Sequence, residues 1–271
     1  MSDKSAISWT DATWSPILGC SKVSSGCANC YAVRTVHRLA GNPHPAIGPA
    51  YAGLTARHAN GRLDWTGEVR LIPSRLDLPL RWKAPRRVFV NSQSDLFHEA
   101  LSDADIHAVF HVMALCPRHV FQVLTKRPAR MRDYCRTYRA GVDVLPNVWL
   151  GTSVEHQAAA DERIPHLLAT PAAVRFLSCE PLLGPVDLRR WLSLLGDNTR
   201  VWEAGWAPGL HWTITGGESG PGYRPADPAW FGSIRDQCLA AGISYYHKQG
   251  AGARPGMHRE LDGRIWEEYP A

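Results

Sequence analysis

Three cysteines lie close together near the start of the chain: Cys20, Cys27 and Cys30, in the run GCSKVSSGCANCYA. Their spacing, C-x6-C-x2-C, supplies three thiolates and no evident fourth ligand. A closed structural zinc site needs four ligands. An iron–sulfur cluster that takes part in chemistry can use three and leave one iron open. The spacing therefore leaves two interpretations: an iron–sulfur cluster, or a zinc site completed by a further residue such as His37.

The elements that must position these cysteines alternate along the chain as short apolar runs and helical patterns. This alternation predicts a parallel sheet covered by helices. We predict strands at 15–19, 67–73, 87–92, 119–125, 147–153, 174–180, 211–217 and 243–248. We predict helices at 74–82, 101–116, 128–138, 155–169, 186–195 and 228–242. The number of units favours an α/β fold with a parallel (β/α) barrel, complete or partial and TIM-like.

Two helix starts and two irregular segments complete this organisation. Ser102 is the expected N-cap of the helix at 101–116, and Pro128 lies in the first turn of the next helix. Residues 41–66 are rich in Gly, Pro and His and indicate a long loop or lid. Residues 250–271 indicate a tail that packs on the outside or covers one end. We expect a single barrel domain over residues 1–271.

Composition limits the class of protein. The chain has 271 residues, of which 45% are hydrophobic and 20% charged, so a sizeable core is available. No apolar run approaches the ~20 residues that cross a bilayer, and the first residues lack the apolar core of a signal peptide. We therefore expect a cytoplasmic protein with no membrane partner. The net charge of +5 permits a polyanionic partner without requiring one.

The remaining cysteines are scattered, at Cys116, Cys135, Cys179 and Cys238. Seven cysteines in a reducing compartment argue against a disulfide framework. Cys116 and Cys238 fall in helical patterns, and we expect them in the core.

Polar residues follow the predicted strands at their carboxyl ends. These residues include four carboxylates and two neighbouring cations, Asp95, Glu155, Glu180, Glu218, Lys126 and Arg127. In a parallel barrel all such ends lie on one face, and that face carries the active site. The cysteines follow the predicted strand at 15–19 and would open onto the same face. The sequence therefore predicts a shared functional face.

Several longer runs carry a resemblance to a known class of enzyme. They are SWTDATWSP, GCANCYA, FVNSQSDLFHE, FQVLTKRP, VWLGTSVE, RFLSCEPLLGP, WTITGGESG and HKQ, and they span residues 8 to 249. A three-cysteine loop after the first strand of a parallel barrel, with Tyr31 beside Cys30, resembles the radical-SAM superfamily, whose usual spacing is C-x3-C-x2-C. The wider pattern is similar to a phage- and prophage-associated family of uncharacterised radical-SAM-like proteins. Photoproduct lyase, a DNA-repair enzyme, is a more distant likeness.

The resemblance implies two cofactors, a [4Fe–4S] cluster and S-adenosylmethionine. Cys20, Cys27 and Cys30 would bind the cluster. The candidates for binding S-adenosylmethionine are Asn91, Ser92 and Asp95 at its amino group, Ser153 and Glu155 at its ribose, and Gly216, Gly217 and Glu218 near its methionine or adenine. Lys126, Arg127 and Arg224 are the candidates for an anionic substrate, such as a nucleotide or nucleic acid.

The implied reaction begins with an electron from an electron donor, which the cluster passes to the sulfonium. The resulting 5′-deoxyadenosyl radical abstracts hydrogen from a substrate carbon. Tyr31, Tyr245 and Cys179 are candidates to relay a hydrogen atom, although residues of these types are usually structural when buried. The alternative is a zinc- or cluster-containing nucleic-acid-binding protein without radical chemistry.

Overall fold

The computed structural model describes residues 5–138, 144–192 and 209–271. The chain divides into two compact units, residues 1–124 and 125–271, which are called the first and second unit. The elements of the first unit are β1 (Ala12–Trp14), β2 (Ile17–Leu18), α1 (Tyr31–Ala40), α2 (Gly48–Tyr51), β3 (Thr55–Arg57), β4 (Leu63–Trp65), β5 (Arg70–Leu71), β6 (Arg87–Val90), α3 (Asp103–Ala114) and β7 (Val120–Thr125). Strand β7 ends one residue past the boundary.

The second unit alternates helices and strands as the sequence predicts. Its elements are α4 (Pro128–Tyr138), β8 (Val148–Ser153), α5 (Gln157–Leu168), β9 (Val174–Cys179), α6 (Arg189–Leu192), β10 (Trp212–Gly216), α7 (Pro228–Ala240), β11 (Ser244–Gln249), β12 (Glu260–Leu261) and β13 (Arg264–Ile265). The predicted helix at 186–195 is present at Arg189–Leu192, and its last residues lie outside the described part of the chain.

A seven-stranded sheet in the order β1-β6-β7-β8-β9-β10-β11 confirms the predicted α/β class with a parallel sheet. Neighbouring strands pair in parallel, for example β1 with β6 and β10 with β11. Among the described residues β1 and β11 are the two ends of this order and do not pair with each other. The complete-barrel form of the prediction is therefore wrong, and the partial form is consistent with this open sheet.

Two predicted strands lie outside this sheet. The run at 15–19 is not the first sheet strand, because the chain enters the sheet at Ala12–Trp14 and β2 pairs antiparallel with β5. Pro16, which lacks a backbone N–H, separates β1 from β2. Of the predicted strand at 67–73, only Arg70–Leu71 forms a strand, which is β5. The predicted helix at 74–82 consists of two short 3₁₀ turns, Pro73–Arg75 and Leu78–Arg81.

Burial and capping explain why the remaining elements form where they do. Every residue of β8 and of β10 is buried, as expected for parallel strands that are covered on both faces. Ser102 caps α3 in a reciprocal capping box with Asp105, which confirms its predicted role. Cys116 and Cys238 are buried, as predicted. No helix among the described residues is both long and apolar enough to cross a membrane.

The segment 41–66, expected as a long loop or lid, contains α2 and the β3–β4 hairpin. Leu18, Val36, Tyr51 and Leu54 form a small buried cluster beneath it. Partly buried apolar residues, including Trp65, pack around this cluster. The segment is thus attached to β2 and α1 by a hydrophobic core of its own.

The tail, residues 250–271, packs along β11. The backbone N–H of His247 donates to the Trp266 carbonyl at 2.9 Å, and that of Glu268 donates to the Tyr245 carbonyl at 3.1 Å. Tyr246 and Glu267 form an antiparallel bridge. The tail therefore occupies the outer edge of β11, which would otherwise present unpaired backbone groups.

Candidate metal centre

The three clustered cysteines lie on a loop of the first unit, residues 19–30, which is called the cysteine loop. The loop starts at Gly19, whose φ of +91° suits glycine, and a Cβ there would lie 2.0 Å from the Glu68 carbonyl oxygen. Cys27 ends a 3₁₀ turn, and Cys30 immediately precedes α1 as its N-cap residue. Close backbone packing at Gly19 thus sets the direction in which Cys20 leaves β2.

The donor chemistry of this loop fits a thiolate-bound group. Cys20, Cys27 and Cys30 form no disulfide and are partly exposed, whereas the other four cysteines are buried. Thiolates are the ligands of iron–sulfur clusters and of structural zinc. In the part of the chain that the structure describes, no three His, Cys, Asp or Glu side chains are grouped so that they could hold a metal ion.

Three hydrogen bonds attach the cysteine loop and its flanks to the segment that follows β6. Ser21 Oγ lies 2.8 Å from His98 Nε2. The Tyr31 hydroxyl donates to the Ser92 carbonyl at 2.8 Å, and Ser94 Oγ donates to the Ile17 carbonyl at 2.8 Å. The loop is therefore held on both sides of its cysteines by residues that follow a strand of the main sheet.

Asn91, a predicted binding residue, stands directly after β6 in a strained conformation. Its φ is +61°, in the left-handed region that non-glycine residues rarely adopt. Its side chain is buried, and its Nδ2 has no hydrogen-bond partner among the described residues. Its Oδ1 accepts a long hydrogen bond of 3.4 Å from the Ile17 N–H. Strain together with an unpaired buried donor is typical of a binding site.

Ser92 and Asp95, the neighbouring predicted residues, have hydrogen-bond partners within the first unit. Ser92 Oγ lies 3.5 Å from Ser15 Oγ. Asp95 is buried, and its Oδ1 accepts from the Phe97 N–H at 2.9 Å, which closes a turn within the segment. Asp95 therefore has a structural role in shaping the segment that carries Asn91.

Lys22 of the cysteine loop binds Asp64 of the β3–β4 hairpin at 2.7 Å. Burial acts to raise the pKa of Asp64. The hydrogen bonds from Lys22 and the Trp65 N–H and the nearby cations outweigh it, so the pKa lies below 3.8. His37, considered as a fourth zinc ligand, is exposed, and its Nδ1 lies 3.3 Å from Thr55 Oγ1. Both contacts join the hairpin to the cysteine loop and α1.

In the second unit, the predicted site residue Glu155 is fully buried, with 0% exposure. Its Oε2 accepts from Arg163 Nη1 at 2.9 Å, and its Oε1 lies 3.5 Å from Lys126 Nζ. Arg163 Nη1 also donates to the Ser153 carbonyl at 2.9 Å. Ser153, Glu155 and Lys126 are thus brought together, around an arginine that sequence reasoning missed.

Residues at the carboxyl ends of β9 to β11 form a second cluster in this unit. Glu180 pairs with Lys248, and a Cβ on Gly216 would lie 3.0 Å from the Glu180 side chain. Gly217 has a packing role, because its Cβ would lie 2.1 Å from the Ala251 nitrogen.

Glu218, a predicted hydrogen-bond acceptor for S-adenosylmethionine, is paired with Arg224, a predicted anion-binding cation. Glu218 accepts from the backbone N–H of Arg224 at 2.8 Å and from its guanidinium Nε at 3.0 Å. This pairing raises the pKa of Arg224. The backbone N–H of Arg127 donates to Thr125 Oγ1 at 2.8 Å.

The three candidate relay residues differ in their surroundings. Tyr31 is 52% exposed and borders Cys30. Tyr245 is buried, its hydroxyl lies 2.7 Å from Thr215 Oγ1, and burial raises its pKa. Cys179 is also buried, and burial raises the pKa of its thiol. Of the three, Tyr31 is the one that adjoins the cysteine loop.

Sequence reasoning missed several residues that position the others. His98 and Lys248 hold Ser21 and Glu180, and each lies at or just after the end of a predicted strand, which is the signal that could have identified them. Arg163 lies inside a helical pattern, eight residues after Glu155, and no local signal marks it.

A seven-stranded parallel sheet with helices between its strands defines the chain as an α/β protein, and a loop with three partly exposed cysteines precedes its first long helix. The chain belongs to the family described as protein of unknown function DUF5131, whose model matches residues 4–270. No curated protein and no solved structure matches the chain.

Proposed function

We propose that the chain is a radical-SAM-like enzyme in which Cys20, Cys27 and Cys30 hold a [4Fe–4S] cluster. The observation that carries the proposal is the attachment of these partly exposed thiols to the Asn91 segment through Ser21 and His98. A cluster with three protein ligands keeps one iron for a small molecule. A strained strand end beside the loop is a suitable place for that molecule.

When bound, the reduced cluster supplies the electron that splits S-adenosylmethionine into methionine and a hydrogen-abstracting 5′-deoxyadenosyl radical. The buried Nδ2 of Asn91 is a donor, so it suits the carboxylate of S-adenosylmethionine better than the amino group. Ser92 and Asp95 shape the segment around it. The proposal includes an external electron donor and a cytoplasmic location, where thiols stay reduced.

In the second unit, Ser153, Glu155, Gly216 and Glu218 stay the candidate residues for S-adenosylmethionine, whereas Gly217 packs against Ala251. The carboxylates of Glu155 and Glu218 are oriented by Arg163 and Arg224, which fixes the directions of their oxygens. The substrate is a nucleotide or nucleic acid, for which Lys126, Arg127 and Arg224 are the proposed anion-binding cations of this unit.

Anaerobic reconstitution with iron and sulfide tests the proposal. The wild-type protein should take up about four irons per chain, the content of one [4Fe–4S] cluster. After reduction it should release 5′-deoxyadenosine from S-adenosylmethionine. Cys27→Ala should lose both properties. Val23→Ala, an exposed position in the same loop, should keep both.

Two results would contradict the proposal. One is stoichiometric zinc without iron uptake in protein purified anaerobically. The other is a Cys27→Ala variant that retains a full cluster, which would show that the ligand set is different.

A further inference from the structure

A pocket of about 700 Å³ in the first unit borders Cys30. Helix α1 contributes Arg34, His37 and Arg38 to its lining, and the β3–β4 hairpin contributes Arg57 and Arg62. This site is called the arginine pocket. Its lining includes none of the cations Lys126, Arg127 and Arg224.

The arginine pocket is strongly positive because carboxylates are missing from this part of the chain. No Asp or Glu occurs in the sequence between Asp11 and Asp64, a stretch that contains Lys22, Arg34, Arg38, Arg57 and Arg62. Asp64 is bound by Lys22 at 2.7 Å and lies farther from Arg62, at 3.8 Å. Asp64 is therefore shared between Lys22 and Arg62 and does not belong to the hairpin arginine alone.

Four guanidinium groups line one concavity, and their like charges favour an anion bound between them. Guanidinium matches the oxygens of a phosphate with two parallel hydrogen bonds, which the ammonium of lysine cannot do. A cavity of about 700 Å³ is within the range of small-molecule sites and can admit a nucleotide unit. Because the pocket is concave, it suits the phosphates of a nucleic-acid strand better than those of a flat lipid surface.

We infer that the arginine pocket binds the phosphodiester backbone of a single-stranded nucleic acid beside Cys30. The inference rests on the proposed function in one respect only: it takes the bound nucleic acid to be the substrate of the enzyme. Arg34 and Arg38 on α1 and Arg57 and Arg62 on the hairpin contact phosphate oxygens from opposite sides. Tyr31, exposed next to Cys30, provides an aromatic face on which a base can stack.

Fluorescence anisotropy with a labelled single-stranded DNA of mixed sequence tests the inference, with a single-stranded RNA of the same sequence as a second probe. The variant Arg38→Gln/Arg62→Gln removes one guanidinium from each side of the pocket. Each loss should weaken binding about tenfold, as expected for a charge-assisted contact of about 1.4 kcal/mol. The slope of log K against log salt should fall by about 0.7 for each lost contact.

Matched controls use exposed arginines outside the pocket. Arg136→Gln on α4 and Arg254→Gln in the tail should bind the DNA as tightly as the wild type does. Equal binding by the pocket variant and by these controls would overturn the inference. Stronger binding to vesicles rich in phosphatidylserine, or to a polyglutamate peptide, would overturn it as well.

An assay of 5′-deoxyadenosine release in the absence of nucleic acid distinguishes failure of this inference from failure of the proposed function. A wild-type protein that cleaves S-adenosylmethionine but binds neither nucleic acid would refute the inference and leave the proposed function standing. A protein that binds DNA through the arginine pocket but never releases 5′-deoxyadenosine would support the inference and count against radical chemistry.

Discussion

Ser21 Oγ and His98 Nε2 lie 2.8 Å apart and join the cysteine loop to the segment after β6. His98 Nδ1 accepts a hydrogen bond from the Ala100 N–H at 3.1 Å, so in the neutral imidazole Nε2 carries the proton and donates it to Ser21. The imidazole is buried, with 3% exposure. A buried side chain from another part of the first unit therefore fixes the loop close to Cys20.

Replacing Ser21 by alanine should weaken this attachment. Ser21→Ala removes a hydrogen bond from a buried imidazole, and we expect the free energy of unfolding to fall by about 1 kcal/mol. Urea denaturation followed by tryptophan fluorescence measures the change. Ser21→Thr keeps the hydroxyl and should retain most of the stability. Identical midpoints for the alanine variant and the wild type would show that the contact contributes nothing.

Gly19 should tolerate no side chain. Gly19→Ala places a Cβ 2.0 Å from the Glu68 carbonyl oxygen at a φ of +91°, so we expect a loss of about 3 kcal/mol. Gly67 is the matched control, because its φ of +88° is nearly the same and nothing lies within 4 Å of its added Cβ. Gly67→Ala should cost only about 1 kcal/mol. Thermal unfolding compares the two variants, and equal losses would rule out the clash.

The buried pair of Glu155 and Arg163 should be sensitive to the loss of one charge. Glu155→Gln leaves the Arg163 guanidinium buried without this carboxylate, so we expect a loss of about 3 kcal/mol. Glu162→Gln, at an exposed position of α5, should change stability by less than about 0.5 kcal/mol. The double replacement Glu155→Met/Arg163→Met should recover much of the loss. A Glu155→Gln variant as stable as the control would refute the predicted sensitivity.

The contact between Lys22 and Asp64 should depend on pH. Because the pKa of Asp64 in the folded protein is below 3.8, its contribution is complete above that value and is lost as the pH falls through the folded pKa. A double-mutant cycle with Lys22→Gln and Asp64→Asn measures the coupling by urea unfolding. We expect up to about 1 kcal/mol at pH 6, which is a common value for such pairs.

The same cycle repeated at acid pH checks the direction of this effect. In acid the coupling should be smaller than at pH 6, because a larger fraction of Asp64 is then protonated. Coupling that stays constant between these conditions, or that grows in acid, would contradict the assigned direction of the pKa.

The sequence predicted the long strands of the main sheet and the helices between them, and it failed where the pairing of short strands is decided at long range. The apolar run at 147–153 reads as a strand because β8 is buried throughout. The first strand was misplaced because Ile17 and Leu18 are more apolar than Ala12–Trp14, although β2 pairs antiparallel with β5. No local pattern distinguishes a short parallel strand from a short antiparallel one.

The candidate site was predictable by residue type and not by contact. The spacing of Cys20, Cys27 and Cys30 marks the loop, but the sequence cannot show that His98 holds it, because that contact joins residues 77 positions apart. Gly217 illustrates the converse case. The sequence suggested close approach to a ligand there, whereas the neighbouring atom in the structure is the backbone nitrogen of Ala251.

The pairing of the tail with β11 has a practical consequence for preparing this protein. A chain cut before Trp266 would leave the outer backbone groups of β11 open to a second copy, and such edges promote aggregation. The same cut would remove Tyr269, whose ring lies 5.2 Å from that of the buried Trp212. Removing the residues from Trp266 onward should therefore promote aggregation of the protein.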